Sequence, residues 1–235
     1  MLKKIKNFFV IFVCLFFCAF VMSGCDLKNN NEKTIEDKTN EEINYLENRI
    51  LTIFNRYAKG EYGLDDDLNW EAINENVVEL NNVLDTIILD LSEIEISNDD
   101  IINFRNSVNG LSLASTQKDI NLVLQQGSII YSLLPNYLEK NSEYNKNKVN
   151  IIKLKSLVVS SFAYAKKLDW ENAKMTILTA EDKYKEMMDD VDYMKEYSYN
   201  LNKVYVLLGE LKNAIHSEEL ELTKMKYVNF IEKIN

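Results

Sequence analysis

Acidic side chains are the most concentrated groups in this sequence that could bind a ligand or take part in a reaction. Asp65, Asp66 and Asp67 stand together in the segment GEYGLDDDL, and a hard cation such as calcium binds several carboxylate oxygens. A calcium loop alternates its ligands along the chain, whereas these three acids are consecutive and cannot all point at one ion. We therefore interpret the segment as a solvated acidic loop.

A catalytic or metal-binding role is not supported by the remaining titratable residues. His216 is the only histidine, whereas helical zinc motifs need two, and Asn213 occupies the position where a Glu-x-x-His motif would place its glutamate. Glycoside hydrolysis needs two carboxylates at a defined separation in a cleft, and no pair is singled out by spacing. We predict a non-enzymatic protein without cofactor or metal, and interpret His216 as a capping or surface residue.

Trp70 and Trp170 are the candidate binding residues. They occupy matching positions in Leu68-Asn69-Trp70-Glu71 and Leu168-Asp169-Trp170-Glu171, where each follows a polar residue suited to cap a helix. A large ring at that position is expected to close the end of a helical hairpin by packing across both helices. The functional alternative is a groove for a peptide or glycan, lined by these tryptophans together with tyrosines such as Tyr131, Tyr137, Tyr193, Tyr197 and Tyr205.

The composition favours an all-α fold. The chain has one proline and six glycines, which is too few for the tight turns of a β-sandwich or the Gly-rich loops of an α/β sheet. Apolar residues recur at spacings of three and four from Asn40 onward. Eight helices are predicted, with these approximate bounds: 40–60, 70–97, 98–115, 116–134, 149–167, 170–190, 193–215 and 217–234, with Pro135 ending the fourth.

The second half of the chain matches the first at an offset of 100 residues, which indicates a duplication; the alternative is that amphipathic helices of similar length align by chance. The two tryptophan segments match at this offset, as do apolar positions such as Val108 with Leu208 and Leu111 with Leu211. We predict two similar four-helix units. The expected organisation is a signal peptide (1–24), a tether (25–39), unit 1 (40–138), a polar linker (139–148) and unit 2 (149–235).

The first 25 residues have the layout of an export signal. Lys3, Lys4 and Lys6 precede an uncharged apolar block from Phe8 to Met22, and Ser23 and Gly24 separate this block from Cys25. This layout resembles the signal peptide of bacterial lipoproteins. The resemblance implies cleavage before Cys25, attachment of a diacylglyceryl group to the Cys25 thiol, acyl chains such as palmitate, and a location on the extracytoplasmic face of the cell membrane.

An uncleaved transmembrane anchor is the competing interpretation. A spanning helix needs about 20 apolar residues at 1.5 Å per residue, and the apolar block has fifteen. Cleavage would also remove Cys14, Cys18 and three lysines, which changes the formal net charge from −10 to −13 and excludes a disulfide. An acidic domain repels nucleic acid and anionic membrane surfaces, so membrane attachment is expected through the lipid alone.

The segment Ala163–Met187 resembles a helical hairpin of the tetratricopeptide type, and also small helical proteins of low-GC Gram-positive bacteria that carry a D-W-E-x-A hairpin. Neither resemblance implies a catalytic residue. The predicted function is a lipid-anchored envelope protein that binds a protein or peptide partner through a helical surface. The alternative is a lipoprotein that binds a small solute or a glycan in a pocket between the two units.

Overall fold

The computed structural model describes the backbone of residues 35–93, 96–140 and 146–234, and within these ranges the side chains of residues 40–190 and 201–234. The predicted signal peptide, Cys25 and the tether as far as Thr34 lie outside the described residues. Every regular element in the described ranges is an α-helix. The predicted all-α fold is therefore confirmed.

Eight helices account for most of the described chain. We number them in chain order: α1 (Ile35–Ala58), α2 (Trp70–Glu93), α3 (Asn98–Thr116), α4 (Ile120–Lys140), α5 (Lys146–Lys166), α6 (Trp170–Asp189), α7 (Val191–His216) and α8 (Leu220–Ile234). Helix α1 begins at Ile35, five residues before the predicted helix start at Asn40. Helices extend beyond their apolar face in this way because each added residue also adds a backbone hydrogen bond.

Each helix packs against its neighbour along the chain, and three further contacts close the structure. Helix α1 packs on α4, and α5 packs on α8, so each half of the chain forms a four-helix arrangement. Helix α4 also packs on α5, and α1 packs on α8. Residues 34–235 consequently form one compact unit.

Aromatic rings fill the centre, where the two halves meet. The ring of Phe162 on α5 stacks on that of Tyr227 on α8, with centroids 4.3 Å apart. Phe54 and Tyr57 on α1 approach Phe162 at 6.2 and 6.4 Å. Gly127 on α4 makes room for this cluster, because a Cβ at that position would lie 2.9 Å from the Phe54 ring. Helices from both halves therefore share one core.

A buried ion pair lies at the same junction. The Lys155 ammonium on α5 is 3.3 Å from a Glu47 carboxylate oxygen on α1, and Lys155 is only 5 % exposed. The Tyr131 hydroxyl on α4 donates to the same oxygen at 2.8 Å. Buried charges are costly unless they are paired and hydrogen-bonded, and these three side chains meet that condition while joining α1, α4 and α5.

Three short turns connect the helix pairs at intervals of 50 residues. Lys118, Leu168 and Glu218 each adopt a positive φ, of 56°, 60° and 59°. Each lies two residues before the start of the next helix, at Ile120, Trp170 and Leu220. The structural period is therefore half of the 100-residue offset found in the sequence. Sequence analysis missed it because none of the three residues is the glycine usual at such positions.

The first of these turns shows how one helix ends and the next begins. The N–H of Lys118 donates to the Ser115 carbonyl at 3.1 Å, and the N–H of Asp119 donates to the Ala114 carbonyl at 3.0 Å. This is the Schellman pattern of a helix C-terminus. The Asp119 carboxylate then accepts from the N–H of Leu122 at 3.1 Å and so caps α4. The prediction that α4 begins at Thr116 is wrong, because Thr116 ends α3.

Pro135 does not end α4, contrary to the prediction. The helix continues through it to Lys140, although proline removes one backbone hydrogen bond. Tyr137 and Leu138 beyond it are buried, and the Tyr137 ring contacts the edge of the Phe104 ring with centroids 5.8 Å apart. Burial of these side chains against α3 outweighs the cost of the missing bond.

Candidate binding surface

The two tryptophans predicted as candidate binding residues lie at helix starts, Trp70 at the start of α2 and Trp170 at the start of α6. Each is half-buried and packs against the hydrophobic core. Asn69 caps α2 by accepting the N–H of Ala72 at 3.1 Å, and Asp169 caps α6 by accepting the N–H of Asn172 at 3.3 Å. The two tryptophans belong to different halves of the structure and line none of the three surface grooves described below.

The tyrosines considered with them have different environments. Tyr131 and Tyr137 are buried in the core, whereas Tyr205 is 60 % exposed. The side chains of Tyr193 and Tyr197 lie outside the described residues. His216 is the last residue of α7, where its Nδ1 lies 2.9 Å from the Lys212 carbonyl oxygen.

Asp65 lies in an exposed loop, but its carboxylate is hydrogen-bonded and ion-paired, which the sequence did not predict. The Tyr57 hydroxyl donates to one oxygen of its carboxylate at 2.8 Å, and the Lys166 ammonium on α5 donates to the other at 2.8 Å. The Lys224 ammonium on α8 lies 5.1 Å from the Tyr57 ring centroid. The loop between α1 and α2 is thereby fastened to α5 and lies next to α8. Asp66 remains exposed.

The interactions of Asp65 shift its protonation equilibrium. Partial burial raises the pKa of this carboxyl, but the hydrogen bonds from Lys166 and Tyr57 and the charges of Lys166 and Lys224 outweigh burial, so the pKa lies below its usual 3.8. Because the folded pKa is below the unfolded one, Asp65 stabilises the fold above pH 3.8. This contribution is lost as the pH falls through the folded pKa.

We expect Asp65→Asn to lower the free energy of unfolding at pH 7 by about 1 kcal/mol, since the carboxylate loses charge-assisted bonds but is partly exposed. The difference from wild type should shrink as the pH falls below 3.8, and urea unfolding across this range measures it. Asp66→Asn is the control and should have no effect at any pH. A loss that persists undiminished in acid would contradict the assignment.

Three grooves mark the described surface. One lies between α1 and α2, has a volume of about 330 Å³, and is lined partly by Tyr45 and Val83. A second, between α4 and α5, measures about 200 Å³. The third lies between α6 and α7, measures about 350 Å³, and is lined by Glu181 on α6 and by residues of α7 from Tyr205 to Asn213.

The α6–α7 groove is bordered by partly exposed apolar side chains, of which Tyr205 also contacts the ring of the buried Tyr184, with centroids 5.7 Å apart. Tyr205 and Val206 are 60 % and 56 % exposed. Leu178, one helical turn before Glu181 on the same face of α6, is 42 % exposed. We call this region the α6–α7 surface and define it by six residues: Leu178, Glu181, Tyr205, Val206, Gly209 and Asn213. Clustered apolar side chains at the rim of an open groove are typical of interaction sites.

Gly209 lies in the middle of α7, and no neighbouring atom of the chain requires a glycine at this position. No atom lies within 4 Å of the position that its Cβ would occupy. At Gly110 and Gly127, by contrast, a Cβ would meet Gln126 at 2.8 Å and Phe54 at 2.9 Å. Since glycine destabilises a helix interior relative to alanine, Gly209 leaves α7 open to close approach by another molecule at a cost to the fold.

We therefore expect opposite effects of alanine at two helical glycines. Gly209→Ala should raise the free energy of unfolding by about 0.5–1 kcal/mol, because the helix gains propensity without a clash. Gly127→Ala should lower it by about 1–3 kcal/mol, because the added methyl group displaces the Phe54 ring. Thermal or urea unfolding of the dilute protein measures both. A loss at position 209 would show that its surroundings are already filled.

The charged groups around the α6–α7 surface are paired within the chain. The Lys212 ammonium lies 3.0 Å from the Glu181 carboxylate, joining α7 to α6. Lys226 on α8 lies 2.9 Å from Glu210 on α7. The outward positions Asn202, Val206, Gly209 and Asn213 follow one another at helical spacing on α7 and carry no charge. The exposed Lys203 beside these positions donates to the Lys233 carbonyl oxygen at 2.6 Å.

Of the six residues that define this surface, sequence analysis named only Tyr205. In α7 the buried residues include Leu201, Val204, Leu208 and Leu211, which form an apolar stripe with helical spacing. Val206 falls outside that stripe, and a glycine follows it one turn later. The available signal was Val206, an apolar residue outside the buried stripe, followed by Gly209 in the middle of the helix. The comparison at an offset of 100 residues matched buried apolar positions and therefore did not reveal these outward ones.

No group of three or more His, Cys, Asp or Glu side chains in the described part of the chain is placed to hold a metal ion. None of the described helices combines the length and the apolar character needed to cross a bilayer.

No family model, curated protein or solved structure that was compared matches this chain.

Proposed function

We propose that this protein is a bacterial lipoprotein, anchored through Cys25 to the extracytoplasmic face of the cell membrane, whose helical domain binds another protein or peptide without catalysing a reaction. The anchor rests on the motif Ser23-Gly24-Cys25 after an apolar block. The binding role rests on the α6–α7 surface, where Tyr205 and Val206 are exposed beside an open groove.

The anchoring part is tested by metabolic labelling with a palmitate analogue. The full chain should incorporate label and sediment with membranes. Cys25→Ser should abolish the label and leave the chain uncleaved, because the thiolate is the nucleophile that takes up the lipid. Cys14→Ser is the matched control, since it keeps Cys25 and should be labelled like wild type. Equal labelling of both variants would contradict the proposal.

The binding part is tested with a photo-crosslinking amino acid at position 206 of the full chain in its native cells. We expect a discrete crosslinked product, because exposed apolar residues beside a groove are suited to be the centre of an interface. Position 89 is the matched control, since Leu89 on α2 is exposed to a similar degree. Identical product patterns from the two positions would contradict the α6–α7 surface as the binding site.

The groove between α4 and α5 supports a second candidate function, the binding of a small solute or a glycan. It lies between the two halves and is lined by hydroxyl and amide groups, by Lys167 and by the ring of Tyr164. Its volume of about 200 Å³ falls short of the 300–1,000 Å³ usual for small-molecule pockets. A thermal-shift titration with monosaccharides tests it, and a shift that Lys167→Ala does not reduce would exclude this groove.

A further inference from the structure

The residues on either side of Gly209 in one copy of helix α7 match those in a second, antiparallel copy. Gly209 is the point of closest approach that α7 permits, because no atom lies within 4 Å of its missing Cβ. In an antiparallel pair of α7 helices that cross there, residues three and four positions before the glycine lie beside residues three and four positions after it on the other helix. The two sets are Tyr205 with Val206, and Lys212 with Asn213.

The side chains of these two sets are chemically matched. A lysine ammonium is attracted to the face of a tyrosine ring, which pairs Lys212 of one copy with Tyr205 of the other. The Asn213 amide is both a donor and an acceptor, and the Tyr205 hydroxyl within its reach is also both. Val206 packs against the aliphatic stem of Lys212 or the Cβ of Asn213. A parallel pair would instead place Lys212 beside Lys212, so the charges favour the antiparallel arrangement.

The electrostatics of the whole chain also favour this face for contact between copies. Two molecules with a formal net charge of −10 repel each other. On the α6–α7 surface the carboxylates of Glu181 and of nearby Glu210 are already paired with Lys212 and Lys226. Two copies can therefore meet here without placing one unpaired carboxylate against another.

We infer that the α6–α7 surface is an interface between two copies of this chain, formed by antiparallel packing of α7 across Gly209. This inference rests on the proposed function, since it names the protein partner of that surface. Anchoring by lipid would raise the local concentration of copies in the membrane plane. A contact of one helix pair is smaller than a standard stable interface, so the dimer forms weakly in dilute solution and is populated at the membrane.

The test uses the full chain in membranes, with Gly209→Cys as the reporter. Residues near a two-fold axis meet their own copies, so the introduced thiols should form a disulfide-linked dimer under mild oxidation. Leu89→Cys is the matched control and should give little dimer. Adding Val206→Lys to Gly209→Cys should reduce the dimer yield about tenfold, because it places a new charge against the partner helix. Circular dichroism verifies that each variant is folded.

The second readout separates this inference from the proposed function. Two copies with different tags are expressed together, each with the photo-crosslinker at position 206. A product that carries both tags, stronger than that from position 89, supports the dimer. A product that joins one tagged copy to a different protein overturns the dimer while leaving the proposed function in place. Equal products from positions 206 and 89 overturn both.

Discussion

Phe162→Ala is expected to lower the free energy of unfolding by about 4 kcal/mol, the usual range for a fully buried aromatic residue being about 3–5 kcal/mol. Phe162 has no exposed surface, stacks on Tyr227 and lies near Phe54 and Tyr57. Its removal leaves a cavity where α1, α5 and α8 meet, and the surrounding rings can relax only partly into it.

Urea unfolding followed by circular dichroism measures this loss, with Leu113→Ala on the exposed side of α3 as the control. The control should change the free energy of unfolding by less than about 0.5 kcal/mol. Because both halves of the chain contribute to the cluster around Phe162, the variant should still unfold in one cooperative transition. Two separate transitions, or a loss below about 1 kcal/mol, would show that the halves are stabilised independently.

The buried pair of Glu47 and Lys155 should give the second largest effect. Lys155→Met removes the cation but keeps the length of the side chain, and leaves the Glu47 carboxylate with the Tyr131 hydroxyl. Breaking a buried ion pair by removing one partner costs about 3–5 kcal/mol. Replacing both partners, as in Glu47→Leu with Lys155→Met, should recover most of that loss, because no buried charge then remains at this position.

A double-mutant cycle on purified protein measures the coupling between Glu47 and Lys155. Lys183→Met is the control, because Lys183 and Glu186 form an exposed pair on α6 and such pairs contribute about 0–1 kcal/mol. Tyr131→Phe removes only the hydroxyl that donates to Glu47 and should lower the free energy of unfolding by about 1–2 kcal/mol. If the double variant is no more stable than Lys155→Met alone, the ion pair is not what makes the single change costly.

Both predictions concern the junction between the two halves, and the sequence offered little warning of it. Helical spacing showed that Phe162 and Tyr227 belong to apolar faces, but spacing does not state which faces meet. Lys155 and Glu47 are 108 positions apart, and a lysine or glutamate within a helical pattern normally indicates a solvated position. Only the packing of α1 on α4 and α8, and of α4 on α5, brings these residues together.

Local rules succeeded where the relevant interactions are local. Asn69 and Asp169 were expected to cap helices because their side chains accept a backbone N–H three residues later, and the structure shows those bonds. The same rules failed at Pro135 and did not predict the pairing of the Asp65 carboxylate. At Pro135, burial of Tyr137 and Leu138 outweighs the lost hydrogen bond. At Asp65, a lysine from α5, 101 residues later in the chain, holds the carboxylate at the surface of the core.

The sequence by itself determined the helical class, the approximate start of most helices and the candidate lipidation residue Cys25, because these depend on periodicity, capping and a short contiguous motif. The tertiary structure alone decided the shared aromatic core, the attachment of Asp65 and the open surface around Gly209. Each of these depends on which helix faces meet or remain unpaired. That outcome is set by the summed packing energy of the whole molecule, which no local pattern contains.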